Sequence, residues 1–133
     1  MRQDDINELK SLNLQILSAP PAVSSVVIQS GQSLSAAIDL AEQRLHRINV
    51  PGNWTTAGMT FQVSHDDVTY YDLYNESGEY ALAAGAAVAG KSVVVDAQVF
   101  FGARYLKIRS GTAGAPVAQT GGNKTITLVT VPR

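Results

Sequence analysis

The dominant pattern along the chain is an alternation of apolar and polar residues that begins at Ala22 and continues to Val131. A period of two residues is typical of β-strands with one buried face and one solvated face. The segments that show it most clearly are VSSVVIQS (23–30), SLSAAIDL (33–40), RLHRINVP (44–51), MTFQVSHD (59–66), RYLKIRS (104–110) and KTITLVTV (124–131). The weaker segments YYDLYNESG (70–78) and KSVVVDAQVF (91–100) bring the prediction to about eight short strands.

The segment SLSAAIDL gives the most specific expectation about faces, because its alternation is nearly complete. We predict a single strand over residues 33–40. Its predicted inner face consists of Leu34, Ala36, Ile38 and Leu40, and its predicted outer face consists of Ser33, Ser35 and Asp39.

Loops rich in Gly, Pro, Asn and Asp separate the predicted strands, as in PGNWTTAG (51–58), HDDVT (65–69) and GTAGAPVAQTGGN (111–123). No segment between the strands is long and periodic enough for a crossover helix, so we expect antiparallel pairing. The predicted fold is an all-β antiparallel sandwich of the jelly-roll kind. KTITLVTV has no charge after Lys124 and would aggregate as a bare edge, so we place it centrally or in a contact between subunits.

Residues 1–21 are predicted to form an N-terminal arm that is distinct from the sandwich domain at 22–133. Asp4 or Asp5 can cap a short amphipathic helix, although LNLQIL (12–17) alternates and suits an extended strand equally well. The apolar positions of that helix include Ile6, Leu9 and Leu12. The two prolines of SAPPA stop any helix. Because a short isolated helix is marginal in water, the arm is expected to pack on its own sandwich or on a neighbouring subunit.

Composition limits the classes of function. The chain has 133 residues, enough for one domain with a core, and only 16% of them are charged. The net charge of −1 argues against nonspecific binding of nucleic acid. Without cysteine there is no disulfide, thiolate nucleophile or zinc–thiolate site. No segment reaches the ~20 apolar residues of a membrane span, and the N-terminal pattern is not that of a secretory signal, so we expect synthesis in a cytoplasm.

Catalytic, cofactor and metal sites are not expected. His46 and His65 lack a nearby nucleophile pattern, and SGTAGAPV lacks the lysine and the following helix of a phosphate-binding loop. Four acidic residues lie close together in the sequence: Asp66, Asp67, Asp72 and Glu76. Their spacing is not that of a calcium loop, and they would as readily pair with basic residues of an adjacent subunit. The sequence therefore predicts a protein that is not an enzyme.

Aromatic residues are concentrated in the middle of the chain. They are Trp54, Tyr70, Tyr71, Tyr74 and Tyr80. Such residues pack in cores, anchor protein interfaces or stack on sugars, and the pattern leaves all three open. We take Trp54, Tyr71 and Tyr74 as candidate interface residues, together with the apolar residues of the arm.

The segment RYLKIRS predicts a strand with one apolar and one basic face, because Lys107 and Arg109 alternate with Leu106 and Ile108. We expect Tyr105 to share the basic, outer face. This face is either a contact for an acidic partner surface or a plain solvated surface. Lys107 and Arg109 therefore complete the set of candidate interface residues.

Two stretches of the sequence resemble small virion proteins of tailed bacteriophages. In these proteins a P-x-x-W-T-x-A-x-x-T-F-Q-x-S-x-D segment is followed by D-L-Y and later by R-Y-L-K-I-R-S-G-T and P-V. The matching residues here are Pro51, Trp54, Thr55, Ala57, Thr60, Phe61, Gln62, Ser64, Asp66, Asp72–Tyr74, Arg104–Thr112, Pro116 and Val117. The resemblance covers most of residues 33–131, leaves the arm out, and consists of strand and turn signatures.

The resemblance implies a jelly-roll structural protein of the virion, most similar to a capsid decoration or cement protein. Such a protein lies on the outside of the head shell and bridges major capsid subunits, which implies the major capsid protein as partner and a homo-oligomer (dimer or trimer). It implies synthesis in the bacterial host cytoplasm, and the net charge and the lack of a long apolar segment predict no nucleic-acid or membrane partner. The alternatives are a tail, baseplate or head-fibre subunit, or a carbohydrate-binding module that uses Trp54 and the tyrosines.

Overall fold

The structure is a computed structural model that describes residues 21–133. The predicted arm, with its candidate residues Ile6, Leu9 and Leu12, lies outside the described residues except for Pro21. The strands are β1 (Ala22–Ile28), β2 (Ile38–Asp39), β3 (Gln43–Asn49), β4 (Met59–Ser64), β5 (Tyr71–Asp72), β6 (Tyr74–Asn75), β7 (Gly78–Glu79), β8 (Ala81–Leu82), β9 (Ser92–Val94), β10 (Tyr105–Ser110) and β11 (Lys124–Pro132). Within residues 21–133 there is no helix, and hence none that could cross a membrane.

Two antiparallel sheets form a sandwich, which confirms the predicted fold class. Sheet A has the strand order β1-β11-β3-β9, and sheet B has the order β2-β10-β4-β5, with β8 also paired to β4. Successive strands mostly alternate between the two sheets, as in a jelly roll. The segment KTITLVTV becomes β11, which lies between β1 and β3, so neither of its edges is bare. This is the central place that its lack of charge favoured.

One edge of sheet B is interrupted by a hairpin. β5 pairs with β4 at Gln62 and Val63, and β8 pairs with the same strand at Met59 and Thr60. Between them, β6 and β7 pair only with each other and form a hairpin at residues 74–79. The amide of Tyr80 donates to the carbonyl of Leu73 at 2.9 Å and closes the base of this hairpin.

The core lies between the sheets and is built from the alternating apolar residues. Phe61 and Phe100 are fully buried and meet edge-to-face with ring centroids 5.0 Å apart, and Tyr80 packs on Phe100 in the same way. The remaining fully buried large apolar side chains are Ile28, Leu45, Ile48, Met59, Leu106, Ile108, Ile126 and Leu128. Each contributes roughly 1.5–3 kcal/mol of hydrophobic stabilisation.

The strand β3 departs from simple alternation because it contains a bulge. In its register with β11, Arg47 lies opposite Val129 and Leu45 lies opposite Thr130, so His46 is the extra residue. The bulge lets Leu45 and Ile48, three positions apart, both face the core.

The prediction of a full strand at residues 33–40 is wrong. Only Ile38 and Asp39 form a strand, Ala36 is exposed, and Ser35 is buried instead of facing outward. The Ser35 hydroxyl accepts a hydrogen bond from the amide of Ile108 at 2.9 Å, and the Ser35 amide donates to the Ile108 carbonyl. The hydroxyl and the amide of the buried Ser35 thus make the hydrogen bonds to the β10 backbone that a neighbouring regular strand would have made.

The loop at residues 51–57 is held by side chains from the segment before β11 and from the first residue of β11. Gln119 is fully buried; its amide nitrogen donates to the Thr55 carbonyl at 3.0 Å, and its amide oxygen accepts from the Thr55 amide at 2.8 Å. Lys124 is also buried and donates from Nζ to the Asn53 carbonyl. Trp54 is buried in the same loop and donates from Nε1 to the Ala57 carbonyl at 3.1 Å. Several residues that carry the virion-protein resemblance therefore shape this loop.

Gly111 is required by the backbone where β10 leaves sheet B. Its φ is +87°, and a Cβ there would lie 2.6 Å from the Ala115 carbonyl oxygen and 2.7 Å from the Val117 nitrogen.

We predict that Gly111→Ala lowers the free energy of unfolding by about 2 kcal/mol or more. Gly114→Ala in the same loop is the control, because nothing lies within 4 Å of its Cβ position, and it should stay within about 0.5 kcal/mol of the wild type. Urea unfolding measures both; equal losses would contradict the steric argument.

Candidate functional site

The basic face predicted for β10 exists, and it belongs to the outer surface of sheet B. Tyr105, Lys107 and Arg109 lie opposite Ser64, Gln62 and Thr60 of β4 in an unbroken register. Side chains directly opposite each other in an antiparallel pair share one face. The three β10 residues therefore share the face away from the core, as the alternation predicted.

Arg109 is buried on this outer face, with only 7% of its surface exposed. Its guanidinium donates to Asp72 Oδ1 at 2.5 Å and to Glu79 Oε2 at 3.3 Å, and it also reaches the Thr60 hydroxyl at 3.4 Å. Asp72 lies on β5, before the hairpin, and Glu79 lies on β7, inside it. The acidic partner of Arg109 thus belongs to its own chain.

The carboxylates are themselves fixed by further hydrogen bonds. Both oxygens of Glu79 accept from the amide of Ala113, at 3.1 and 3.3 Å, which joins the loop after β10 to the hairpin. The side chain of Gln62 donates to Asp72 Oδ1 at 3.3 Å. The hydrogen bond from Arg109 lowers the pKa of Asp72 below its ordinary value of 3.8. We call Arg109, Asp72, Glu79 and Thr60 the arginine bracket.

The arginine bracket fixes the hairpin beside two exposed tyrosines. Tyr71 precedes Asp72 and Tyr74 begins the hairpin, and they are 62% and 61% exposed. Tyrosine is a good interface anchor because it combines a large area with few rotatable bonds. Both candidate tyrosines are therefore accessible to a partner and attached to a braced backbone.

Lys107 takes part in a second internal contact. Its Nζ lies 4.3 Å from the centroid of the Tyr70 ring, which is a cation–π distance. The Tyr70 hydroxyl donates to Asp67, and partial burial together with this hydrogen bond raises the pKa of Tyr70. Both basic residues of the strand therefore contact side chains of the 65–79 segment.

Two of the four clustered acidic residues, Asp66 and Asp67, serve the turn at 65–70, whereas Asp72 binds Arg109. Asp66 accepts hydrogen bonds from the amides of Val68 at 2.9 Å and Thr69 at 3.0 Å, and from the Ser64 hydroxyl at 2.9 Å. These bonds, with the Thr69 amide the largest cause, lower the pKa of Asp66 to about 2. Across residues 21–133, no three His, Asp or Glu side chains are grouped so that they could hold a metal ion.

The two histidines lie in different sheets. His46 is the bulged residue of β3 in sheet A, and His65 follows β4 of sheet B with 82% of its side chain exposed. The Nε2 atom of His65 lies 4.0 Å from Asp66. The structure does not bring the histidines together.

Trp54 is separate from the exposed tyrosines. Its ring is buried and lines a pocket of about 200 Å³ together with Thr56, Ala84, Ala87, Val88 and Ala89. An aromatic residue must expose a ring face to stack on a sugar. The position of Trp54 therefore gives no support to the carbohydrate-binding alternative.

Sequence reasoning missed Glu79, which is as important to the bracket as Asp72. It lies in GEYALA, where no periodic pattern distinguishes it from a solvated acid. The signal that could have indicated Glu79 is charge balance: in a nearly neutral chain, the basic residues of one strand face can pair with acidic residues of the same chain. A further exposed aromatic residue is Phe101, which is 54% exposed and lies under the guanidinium of Arg44 at 5.5 Å.

Comparison with known proteins gives few matches. No protein-family model matches the chain, and no curated protein matches it. Four chains of solved structures do match. One is the crystal structure of the SPBc2 prophage-derived protein YomS, to which this chain is similar with a TM-score of 0.49 and 13% sequence identity, over 84% of this chain and 95% of that chain.

We predict that Arg109→Met destabilises the protein by roughly 2 kcal/mol, because it leaves the carboxylates of Asp72 and Glu79 without their cation. The effect is limited because water reaches Asp72 and screens part of the lost ion-pair energy there. Urea unfolding measures this change, and hydrogen exchange should show faster exchange at residues 72–80. Lys107→Met is the matched control on the same strand face and should change stability by less than about 0.5 kcal/mol. Similar effects of the two substitutions would contradict the bracket.

The lowered pKa of Asp66 predicts a loss of stability in acid. Because the folded value of about 2 lies below the ordinary 3.8, the stabilisation is complete above the ordinary value and is lost as the pH falls towards 2. In Asp66→Asn the amide oxygen can still accept the backbone bonds but carries no charge, so the variant should be less stable than the wild type at neutral pH and should lose less stability in acid. Urea midpoints across this range test it, with the exposed Glu76→Gln as a control expected to follow the wild type. Identical slopes for Asp66→Asn and the wild type would refute the assignment.

Proposed function

We propose that the chain is a structural protein of a tailed-bacteriophage virion, and within that class a capsid decoration or cement protein. In this proposal it is made in the cytoplasm of the bacterial host, assembles as a homo-oligomer, and lies on the outer surface of the head. There it binds the major capsid protein and stabilises contacts between neighbouring subunits. The proposal assigns it no catalytic step and no cofactor, and no nucleic-acid or membrane partner.

The observation that carries the proposal is the braced hairpin with its two exposed tyrosines. A binding element that is already ordered in the free protein loses less entropy when it binds. Tyr71 and Tyr74 supply large contact areas, and the ion pairs of Arg109 hold the backbone between and around them. This is the kind of surface that a non-catalytic binding protein requires.

The residues that resemble the phage virion proteins support the same proposal. They include three members of the arginine bracket, which are Thr60, Asp72 and Arg109. They also include the buried Trp54 of the loop at residues 51–57. The resemblance therefore coincides with the contacts that shape the proposed binding surface. A neutral surface with few charges also suits a cement protein, because many weak contacts repeated over a shell give high avidity.

Binding to purified phage heads tests the proposal. Heads of the phage that encodes the chain, prepared without this protein, should bind it saturably at a fixed copy number in a co-sedimentation assay. We predict that the double variant Tyr71→Ala/Tyr74→Ala lowers the affinity at least about ten-fold, because it removes two interface anchors. Phe101→Ala is the control, since it removes a similarly exposed aromatic ring outside the hairpin region, and it should bind like the wild type.

Each other outcome corrects a defined part of the proposal. Binding to purified tails but not to heads would replace the capsid role with a tail or baseplate role. Equal losses for the tyrosine variant and for Phe101→Ala would remove the hairpin surface from the proposal. Failure to bind either particle would overturn the virion role.

A further inference from the structure

The outer edge of β1 is a long, uncharged and regular strand edge. β1 has seven residues, AVSSVVI, and its register with β11 runs unbroken from Ala22 to Ile28. Within residues 21–133 its only strand partner is β11, so that part of the chain provides no strand for the backbone groups on its other side. A bare edge of this kind is a template for pairing with another strand.

The other three edges of sheets A and B carry the features by which proteins prevent such pairing. At the opposite edge of sheet A, β9 has only three residues. In sheet B, β2 has two residues and ends in Asp39, which is paired with Arg104 at 3.3 Å. The remaining edge is divided into β5 and β8 by the hairpin. Short length, charge and interruption all discourage edge pairing, and β1 has none of them.

We propose that β1 pairs antiparallel with β1 of a second copy about a two-fold axis, so that sheet A continues through a dimer. This inference specifies the homo-oligomer that the proposed function includes, and it does not depend on the particle to which the protein binds. A two-fold interface requires a self-complementary surface, which an uncharged strand paired with itself provides.

The ends of β1 define the register of this pairing. Pro21 precedes the strand and has no amide hydrogen to extend a ladder. After the strand, the Ser30 amide is already bonded to Asn123 Oδ1 at 2.9 Å, and Gly31 turns the chain with a φ of +84°. Both copies thus offer the same seven residues, and full overlap places Ser25 opposite itself on the axis.

This register also keeps each face of the sheet consistent. Val23, Ser25 and Val27 lie on the outer face, opposite Val129, Thr127 and Thr125 of β11. The pairing places Val23, which is 69% exposed, opposite the partner's Val27, and it keeps the inward-facing residues of both strands on the core side. An apolar pair on each side of the axis is covered, and no like charges meet across the strands.

The mass of the full-length protein in solution tests the inference, and it requires no phage particle. Size-exclusion chromatography with light scattering should give twice the 14.1 kDa of one chain. Ser25→Lys brings two lysines together on the axis, so it should give a monomer at micromolar concentration. Ser92→Lys is the matched control and should stay dimeric. Ser92 is an exposed serine at the opposite edge of sheet A. It lies in the same cross-strand row as Ser25, through Thr127 and Asn49.

Two further variants separate the interface from damage to the fold. Ser25→Glu should also be monomeric, and an equimolar mixture of the Ser25→Lys and Ser25→Glu proteins should return to the dimer mass. The chain has no cysteine, so a single Ser25→Cys substitution should give a disulfide-linked dimer under oxidation, while Ser92→Cys should not.

Several results would overturn the inference. They are a monomeric or trimeric wild type, a Ser25→Lys variant that stays dimeric, or a lysine/glutamate mixture that stays monomeric. These results would leave the binding of heads untouched as a separate question. Conversely, a confirmed dimer that binds no virion particle would overturn the proposed function and keep the β1 interface.

Discussion

A guanidinium group can be buried on the outside of a β-sheet only when carboxylates and hydroxyls surround it, and Arg109 imposes this condition on sheet B. In the sequence, its acidic partner Asp72 precedes the first hairpin strand, β6, and its acidic partner Glu79 follows it. Neutralising the cation therefore also determines where the hairpin lies. The Ala113 amide extends the same network into the loop after β10. Much of the charge on this side of the molecule therefore maintains shape, and the surface offered to a partner is aromatic and nearly neutral.

At the same end of β10, next to Arg109, neutral hydrogen bonds to Ser110 and to the loop at residues 51–57 do the corresponding work. Gln119 lies fully buried and exchanges two hydrogen bonds with the backbone of Thr55, while its amide nitrogen also reaches Ser110 at 2.7 Å. The loop around Trp54 is thereby tied to the segment that leads into β11. An amide can satisfy a donor and an acceptor at once, which a charged side chain cannot do.

The fold was predictable from the sequence for five of the six segments with the clearest alternation. β4 and β10 lie within predicted strands, and β1, β3 and β11 each extend one residue beyond theirs. The central place of β11 is one of the two positions that its lack of charge predicted. Alternation failed at Ser35, because a serine can turn inward when its hydroxyl replaces a backbone partner. It also could not reveal that the edge of sheet B is split by a hairpin, since the strands involved have only two residues each.

The candidate site was predictable only in part. The sequence placed Lys107 and Arg109 on one face, and their periodicity was sufficient for that. It could not show that Arg109 would be buried, because burial depends on Glu79, which is thirty positions away in the sequence and is brought close by the hairpin. Long-range ion pairs of this kind leave no local pattern in a single sequence.

The central position of β11 has a consequence for how the molecule is made. β1 and β3 both pair with a strand that lies almost at the other end of the described chain, with Ala22 opposite Thr130. While the ribosome is still synthesising residues before 124, neither strand has that neighbour, and sheet A cannot close. Folding of this sheet must therefore wait until translation has passed β11, and contacts so distant in sequence make it slow. A chain that stops before β11 would retain β1 and β3 without the strand that pairs with both of them.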